Sequence, residues 1–252
     1  MIENFIEDKR LLPFDFVDVN GLVIPANELE FLGCGANGSV WKWDDGSYMQ
    51  VVKSFFDNRY HLSLPFDTCL AIQNLNFVNL PNIYSPLRRS DKPSGSYDGY
   101  LMEYFDEDNS AKLSEISSDN LILSIEQIEE DGKKLLEHQI IMFDVKPSNS
   151  IITRDDLMLH LIDLDLYKTV SCKSYDELLF IQYKMIMAFL SMGFRKDISN
   201  DSSFSAMDKQ KLISSIQQTF TFSTDYTLSP REYVESLFSN MENYKQYFKK
   251  LL

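Results

Sequence analysis

Residues 144–149 read Asp144-Val145-Lys146-Pro147-Ser148-Asn149: a carboxylate, an ammonium two positions on and a carboxamide five positions on. Two other groups of residues stand at distances that fit the same chemistry. Upstream lies Gly33-Cys34-Gly35-Ala36-Asn37-Gly38-Ser39-Val40, with Lys53 fifteen residues after Gly38. Downstream lies Leu161-Ile162-Asp163-Leu164-Asp165, with fourteen residues from Asn149 to Asp163. Glycines at 33, 35 and 38 let a hairpin fold closely over phosphates, because no side chain blocks the backbone. A lysine pointing inward from the apolar strand Gln50-Val51-Val52-Lys53 needs an anion, and nucleotide phosphates supply one. Together these residue types suit phosphoryl transfer, which needs positioning and charge neutralisation more than covalent help.

The three groups, in this order and at these separations, resemble a protein kinase catalytic domain over roughly residues 29–192. Lys146, two residues after the aspartate, resembles the Ser/Thr-type protein kinases and separates the chain from small-molecule phosphotransferases of the same fold. The resemblance implies an α+β, bilobal protein kinase-like fold: a small β-rich N-lobe with one helix and a reduced, mostly helical C-lobe. A full C-lobe usually takes more chain than 252 residues leave. The expected organisation is an N-terminal extension at 1–28, an N-lobe at 29–105 and a reduced C-lobe at 106–252.

The same resemblance implies the roles. Asp144 accepts or orients the proton of the attacking hydroxyl, Lys146 neutralises the transferring phosphate, and Lys53 holds the nucleotide phosphates. Asn149 and Asp163 hold magnesium, with Asp165 a further carboxylate near the metal. Gly33, Gly35 and Gly38 cover the phosphates of ATP. Leu32, Val40, Val51 and Ile151 sandwich the adenine. Met102 is the gatekeeper of the hinge strand Gly99–Phe105, and backbone groups of Glu103 and Phe105 meet the adenine edge.

The sequence also departs from the family. Met142-Phe143-Asp144 stands for His-Arg-Asp, so no arginine is present to bind an activation-loop phosphate. Asp163-Leu164-Asp165 stands for Asp-Phe-Gly. Only Leu166–Ser174 separates that motif from the next apolar helix, and no Ala-Pro-Glu occurs. Such brevity resembles the compact, atypical bacterial Ser/Thr kinases that act without a regulated activation loop. Asp176 resembles the aspartate that braces the catalytic loop. The helix glutamate that pairs with the lysine has Ala71 at its counted position, and Asp67 is the nearest acid.

Composition bounds the partners. Hydrophobic residues make up 44% and aromatics 13%, enough for a substantial core. The net charge of −14 argues against nucleic acid and anionic membrane as partners, since both need a basic footprint. Cys34, Cys69 and Cys172 are odd in number and widely spaced, which suits a reducing compartment without structural zinc. Met1-Ile2-Glu3-Asn4 does not open a signal peptide, and Leu178–Phe194 reads as a buried helix too short and polar to span a membrane. A cytoplasmic location is expected, or delivery into a host cytosol for a bacterial effector.

The elements that must carry these residues follow from pattern. Phe31-Leu32, Val40–Trp43 and Tyr48–Phe55 read as strands, with Asp44-Asp45-Gly46-Ser47 as a hairpin turn. A helix is predicted over 67–78, further strands after Pro81 and over Gly99–Tyr104, and the acidic run Asp106-Glu107-Asp108 thereafter. Leu121, Ile122, Ile125 and Ile128 fall on one helical face. Short strands at 150–153 and 158–163 flank a turn, and an apolar helix begins near Tyr175. A last helix has Ser229 as cap, Pro230 first and Glu232 closing a capping box, with a stripe of Val234, Leu237, Phe238, Met241, Tyr244 and Phe248.

Three functions fit: a minimal Ser/Thr protein kinase using ATP and Mg on a protein substrate, a pseudokinase that binds nucleotide or a partner, and a small-molecule kinase. An activating protein partner that repositions the 67–78 helix fits the missing glutamate.

Overall fold

The computed structural model describes residues 12–35, 37–47, 49–56, 64–106, 113 and 116–240. Residues 1–11 of the expected extension, and Tyr48, Glu107, Asp108, Met241, Tyr244 and Phe248, lie outside these. The chain divides into two compact units, Met1–Asn76 with Pro81–Tyr104, and Phe77–Leu80 with Phe105–Leu252.

The first unit is a seven-stranded sheet. Its strands are β1 (Phe16–Asp18), β2 (Val23–Ile24), β3 (Glu30–Cys34), β4 (Gly38–Asp44), β5 (Met49–Phe55), β6 (Ile83–Arg89) and β7 (Gly99–Glu103). They run in the order β2-β1-β6-β7-β5-β4-β3, each antiparallel to its neighbours. The β4–β5 turn forms at the predicted place. Asp44 and Asp45 each accept a backbone N–H two residues on, at 2.8 Å, and Gly46 supplies a φ of 85°. Side chains alternate across a strand, so one face of this sheet carries Trp41, Trp43, Val52 and Leu101. Phe16, Ile24 and Leu87 complete that core. Burying each such side chain contributes roughly 1.5–3 kcal/mol.

Two features of this unit differ from the sequence reading. The segment before residue 29 is part of the sheet: β1 pairs with β6, and Phe16 and Ile24 are fully buried. Helix α1 is shorter than the predicted 67–78 and spans only Phe66–Ile72. A left-handed Asn76, with φ of 50°, follows it, and Phe77–Leu80 packs with the second unit.

The second unit holds α2 (Ser118–Glu137), β8 (Ile140–Ile141), β9 (Ser150–Ile152), β10 (Leu159–Leu161), β11 (Lys168–Thr169), α3 (Tyr175–Asn200), α4 (Ala206–Asp225) and α5 (Pro230–Asn240). Helix α2 buries Leu121, Ile125 and Ile128 as its periodicity predicts, while Ile122 of the predicted face is only half-buried. The Ser229 capping box is present, with Ser229 N–H donating to Glu232 at 2.8 Å and Glu232 N–H returning to Ser229 Oγ at 3.2 Å. A second box, Ser174 with Glu177, starts α3. Hydrogen bonds from Ser174 hold the exposed Glu177 carboxyl below its ordinary pKa. Helix α4 has no counterpart in the sequence reading, although Ser205 caps it by accepting from Asp208 N–H at 3.2 Å.

Helix α3 continues past Phe194 to Asn200, so it is longer than the sequence suggested. By length and composition it could cross a membrane, yet half of its apolar stretch is buried within the protein. It packs against α2, α4 and α5.

Candidate functional site

The residues read as functional fall on both units. In the first unit Val40, Val51, Lys53 and Met102 share the sheet face opposite the tryptophan core, whereas Glu103 pairs with Gln50 on the tryptophan face. Val40 pairs with Lys53, Lys53 with Tyr100, and Val51 with Met102. Directly paired residues of an antiparallel ladder lie on one face. Val51, Lys53 and Met102 are all buried. Leu32 is exposed and lies at an irregularity where the register shifts between Phe31 and Gly33.

The glycines divide into two kinds. A Cβ on Gly38 would lie 2.0 Å from the Ser54 carbonyl oxygen, so Gly38 is needed for strands β4 and β5 to approach. A Cβ on Gly33 or Gly35 would meet nothing within 4 Å. The Gly35 N–H donates to Gly38 O at 2.9 Å and closes the turn. These two glycines leave open space over the hairpin.

At the hinge strand, Glu103 N–H donates to Asn82 O at 2.9 Å, so that donor is already engaged within the unit. The Glu103 carboxylate accepts from Asn82 N and Nδ2 at 3.2 and 2.7 Å. Asp67 stands exposed on the first turn of α1, whereas Lys53 is buried. Asp67, the acid nearest the family's glutamate position, is thus on the solvent side of α1. Cys69, on the inner side of α1, has its thiol pushed up to about 12 by burial, partly offset by a Tyr97 hydrogen bond.

In the second unit, the loop after β8 gathers the polar cluster. Asp144 is left-handed, with φ of 60°, an unusual conformation for a residue with a Cβ. Its carboxylate pairs with Lys146. Asn149 Nδ2 donates to Asp144 O at 3.0 Å and to Asp144 Oδ2 at 3.2 Å. A single 3₁₀ turn, Pro147–Asn149, brings the asparagine back, with Asn149 N–H donating to Lys146 O at 2.9 Å. Ile162 N–H then donates to Asn149 O at 3.0 Å, extending the β9–β10 ladder. That bond sets Asp163 beside the loop. Asp163 Oδ1 accepts from Asp165 N–H at 3.2 Å. Asp163 is half-buried, whereas Asp165 and Leu164 are buried.

Asp176, read as the brace of this loop, is exposed in the first turn of α3. One side chain from α3 that bonds to the loop is Gln182, whose Oε1 accepts from Met142 N–H at 3.2 Å. Gly132 on α2 makes room for it, since a Cβ there would lie 2.1 Å from Gln182 Nε2. The sequence signal was a glutamine within the most apolar stretch of the chain. His160 was also missed. It pairs with Ile151 across β9–β10 and stacks on Phe105, ring centroids 4.1 Å apart. Burial pushes its imidazole below the ordinary pKa, against the opposing charges of Asp156 and Asp131.

The oxygen donors Asn149, Asp163 and Asp165 fit a hard cation such as Mg²⁺. Among the described residues no group of three or more His, Cys, Asp or Glu could hold a metal alone. Magnesium bound through one or two carboxylates and phosphate oxygens needs no such group.

A curled antiparallel sheet with one helix, followed by a helical unit carrying this loop, defines an α+β protein kinase-like fold. The chain is similar to the kinase domain of Mycobacterium tuberculosis PknI, at a TM-score of 0.53 and 14% identity, covering 84% of this chain and 96% of that one. A double mutant of the same domain gives a TM-score of 0.55 at 13% identity, covering 84% and 95%. At such identity the likeness is one of fold. No protein-family model and no curated protein sequence matches the chain.

Proposed function

We propose that this protein is a minimal Ser/Thr protein kinase that transfers a phosphoryl group from ATP, with Mg²⁺, to a hydroxyl of a protein substrate. The observation that carries the reading is the bonded cluster of Asp144, Lys146 and Asn149, joined to Asp163 through the Ile162–Asn149 hydrogen bond. Asp144 receives the proton of the attacking hydroxyl, and Lys146 offsets charge developing on the transferred group. Asn149 and Asp163 hold the cation, which supplies charge neutralisation on the phosphates. Lys53 and the open space over Gly33 and Gly35 serve the phosphates, and Val40, Val51 and Met102 on the same sheet face serve the base. The absence of an arginine at Phe143 favours activity independent of loop phosphorylation. A protein substrate, an activating partner and a cytosolic setting belong to the same proposal.

The test is incubation with labelled ATP and magnesium, alone and with lysate, beside Asp144→Ala. Transfer of label by the wild type and not by the variant is the expected result. A wild type that neither transfers label nor gains thermal stability from millimolar Mg-ATP would overturn the reading.

A further inference from the structure

Asp131, on α2, has a side chain with no solvent exposure, and the phosphoryl-transfer reading gives it no role. Its Oδ2 accepts three successive backbone N–H groups, from Val78 at 2.8 Å, Asn79 at 2.7 Å and Leu80 at 3.2 Å. Its Oδ1 pairs with Lys134 at 2.9 Å. Successive amides turned toward one oxygen form an anion nest. Stripping a carboxylate of water costs several kcal/mol unless such partners replace it. The segment held in this way is not a helix or a strand, so the carboxylate defines its conformation.

Asn79, at the centre of that nest, is fully buried and grips β10 twice. Its Nδ2 donates to Leu159 O at 2.6 Å, and its own carbonyl accepts from Leu161 N–H at 3.0 Å. Asn79 thus holds β10 by two hydrogen bonds without itself being part of a strand. Two residues beyond Leu161 stands Asp163.

We propose that Asp131 is a positioning residue for Asp163, acting through Asn79 and strand β10. The proposal rests on reading Asp163 as a metal-ligating carboxylate. An Asn79 fixed by Asp131 holds the end of β10 in one place, so the Asp163 carboxylate is pre-set for the cation.

The experiment titrates Mg²⁺ at saturating ATP with the full chain, reading phosphoryl transfer and, in parallel, the melting temperature. Asp131→Asn keeps an acceptor oxygen but removes the charge, and Asn79→Ala removes the Leu159 bond. Each should raise the half-saturating Mg²⁺ concentration by roughly tenfold or more, the range for partners that orient a metal ligand. The KM for ATP should change much less. The double variant should add little to either single one, because both act on one path. A purely structural role would lower the melting temperature and leave the Mg²⁺ requirement alone, which would overturn the proposal while the kinase reading stands. If Asp131→Asn does not fold, Asn79→Ala carries the test by itself. A wild type without Mg²⁺-dependent transfer would overturn the kinase reading, and this proposal with it.

Discussion

Asn149 Nδ2 donates to both the backbone carbonyl and the carboxylate of Asp144, at 3.0 and 3.2 Å. One amide group therefore fixes the backbone and the side chain of the same residue. That double hold matters because Asp144 has a φ of 60°, which a residue with a Cβ adopts only when its surroundings enforce it. The bond also orients Asn149. With Nδ2 engaged, its Oδ1 is the atom left for a cation, shared only with a 3.3 Å contact from the Ser148 hydroxyl.

The strained aspartate gives a stability comparison. Asp144→Gly and Asp144→Ala should both be inactive in phosphoryl transfer. The glycine variant should be the more stable of the two by about 1 kcal/mol, because glycine adopts a positive φ without a Cβ clash. Chemical denaturation of the pair checks this. Equal stability would mean that the left-handed backbone costs nothing here.

Gly38 and Gly35 should separate folding from ligand binding. Gly38→Ala places a methyl 2.0 Å from the Ser54 carbonyl, so it should lower stability by roughly 1–3 kcal/mol, as overpacking does. Gly35→Ala meets open space and should leave the free protein's melting temperature unchanged. It should instead shrink the rise caused by Mg-ATP. Thermal melts with and without nucleotide distinguish the two.

The two carboxylates of Asp163-Leu164-Asp165 should behave differently because one is accessible and one is buried. Asp163→Asn should abolish transfer with little change in melting temperature. Asp165→Asn should keep part of the activity and melt several degrees lower, the scale set by about 1–2 kcal/mol in a domain of this size. The opposite pattern would assign the cation to Asp165.

Glu129 predicts a pH dependence remote from the site. It is buried on α2 and accepts from Arg231 N–H, in the first turn of α5, at 2.7 Å. Burial pushes its carboxyl up from 4.5 to about 7. The Arg231 amide and Lys133 oppose that rise, and Glu130 and Glu126 add to it. Because the folded pKa lies above the unfolded one, the stabilisation is full below the unfolded value and is lost as pH rises through the folded one. Melting temperatures of wild type and Glu129→Gln should therefore diverge as pH rises from 4.5 to about 7, the wild type falling relative to the variant. Parallel curves would show that Glu129 does not titrate in this range.

Much of the fold was legible because its signals are local. The Asp44–Ser47 turn, the Ser229–Glu232 box and the α2 stripe each depend on residues within a few positions of one another. The cluster at 144–149 was legible for the same reason, since one short loop carries three chemical groups. Helix α4 was missed although Ser205 and Asp208 mark its start, because its apolar face is thin: only Leu212, Ile216, Thr219 and Ser223 are buried. The length of α1 was misjudged because Asp131, more than fifty positions away, holds Val78 and Asn79 by their backbone N–H groups.

The sequence alone carried the resemblance to a protein kinase-like fold and the identity of the chemical groups, because the motifs that carry it are short and each lies within one loop or strand. Only the tertiary structure decided that Gln182 rather than Asp176 touches the loop, that Asp163 is accessible while Asp165 is buried, and that β1 and β2 complete the sheet. Those outcomes turn on contacts between residues far apart in the chain: Met142 with Gln182, Asn79 with Asp131, Phe16 with Arg89. Burial and hydrogen bonding at such distances follow from how whole elements pack, and no window of sequence contains both partners.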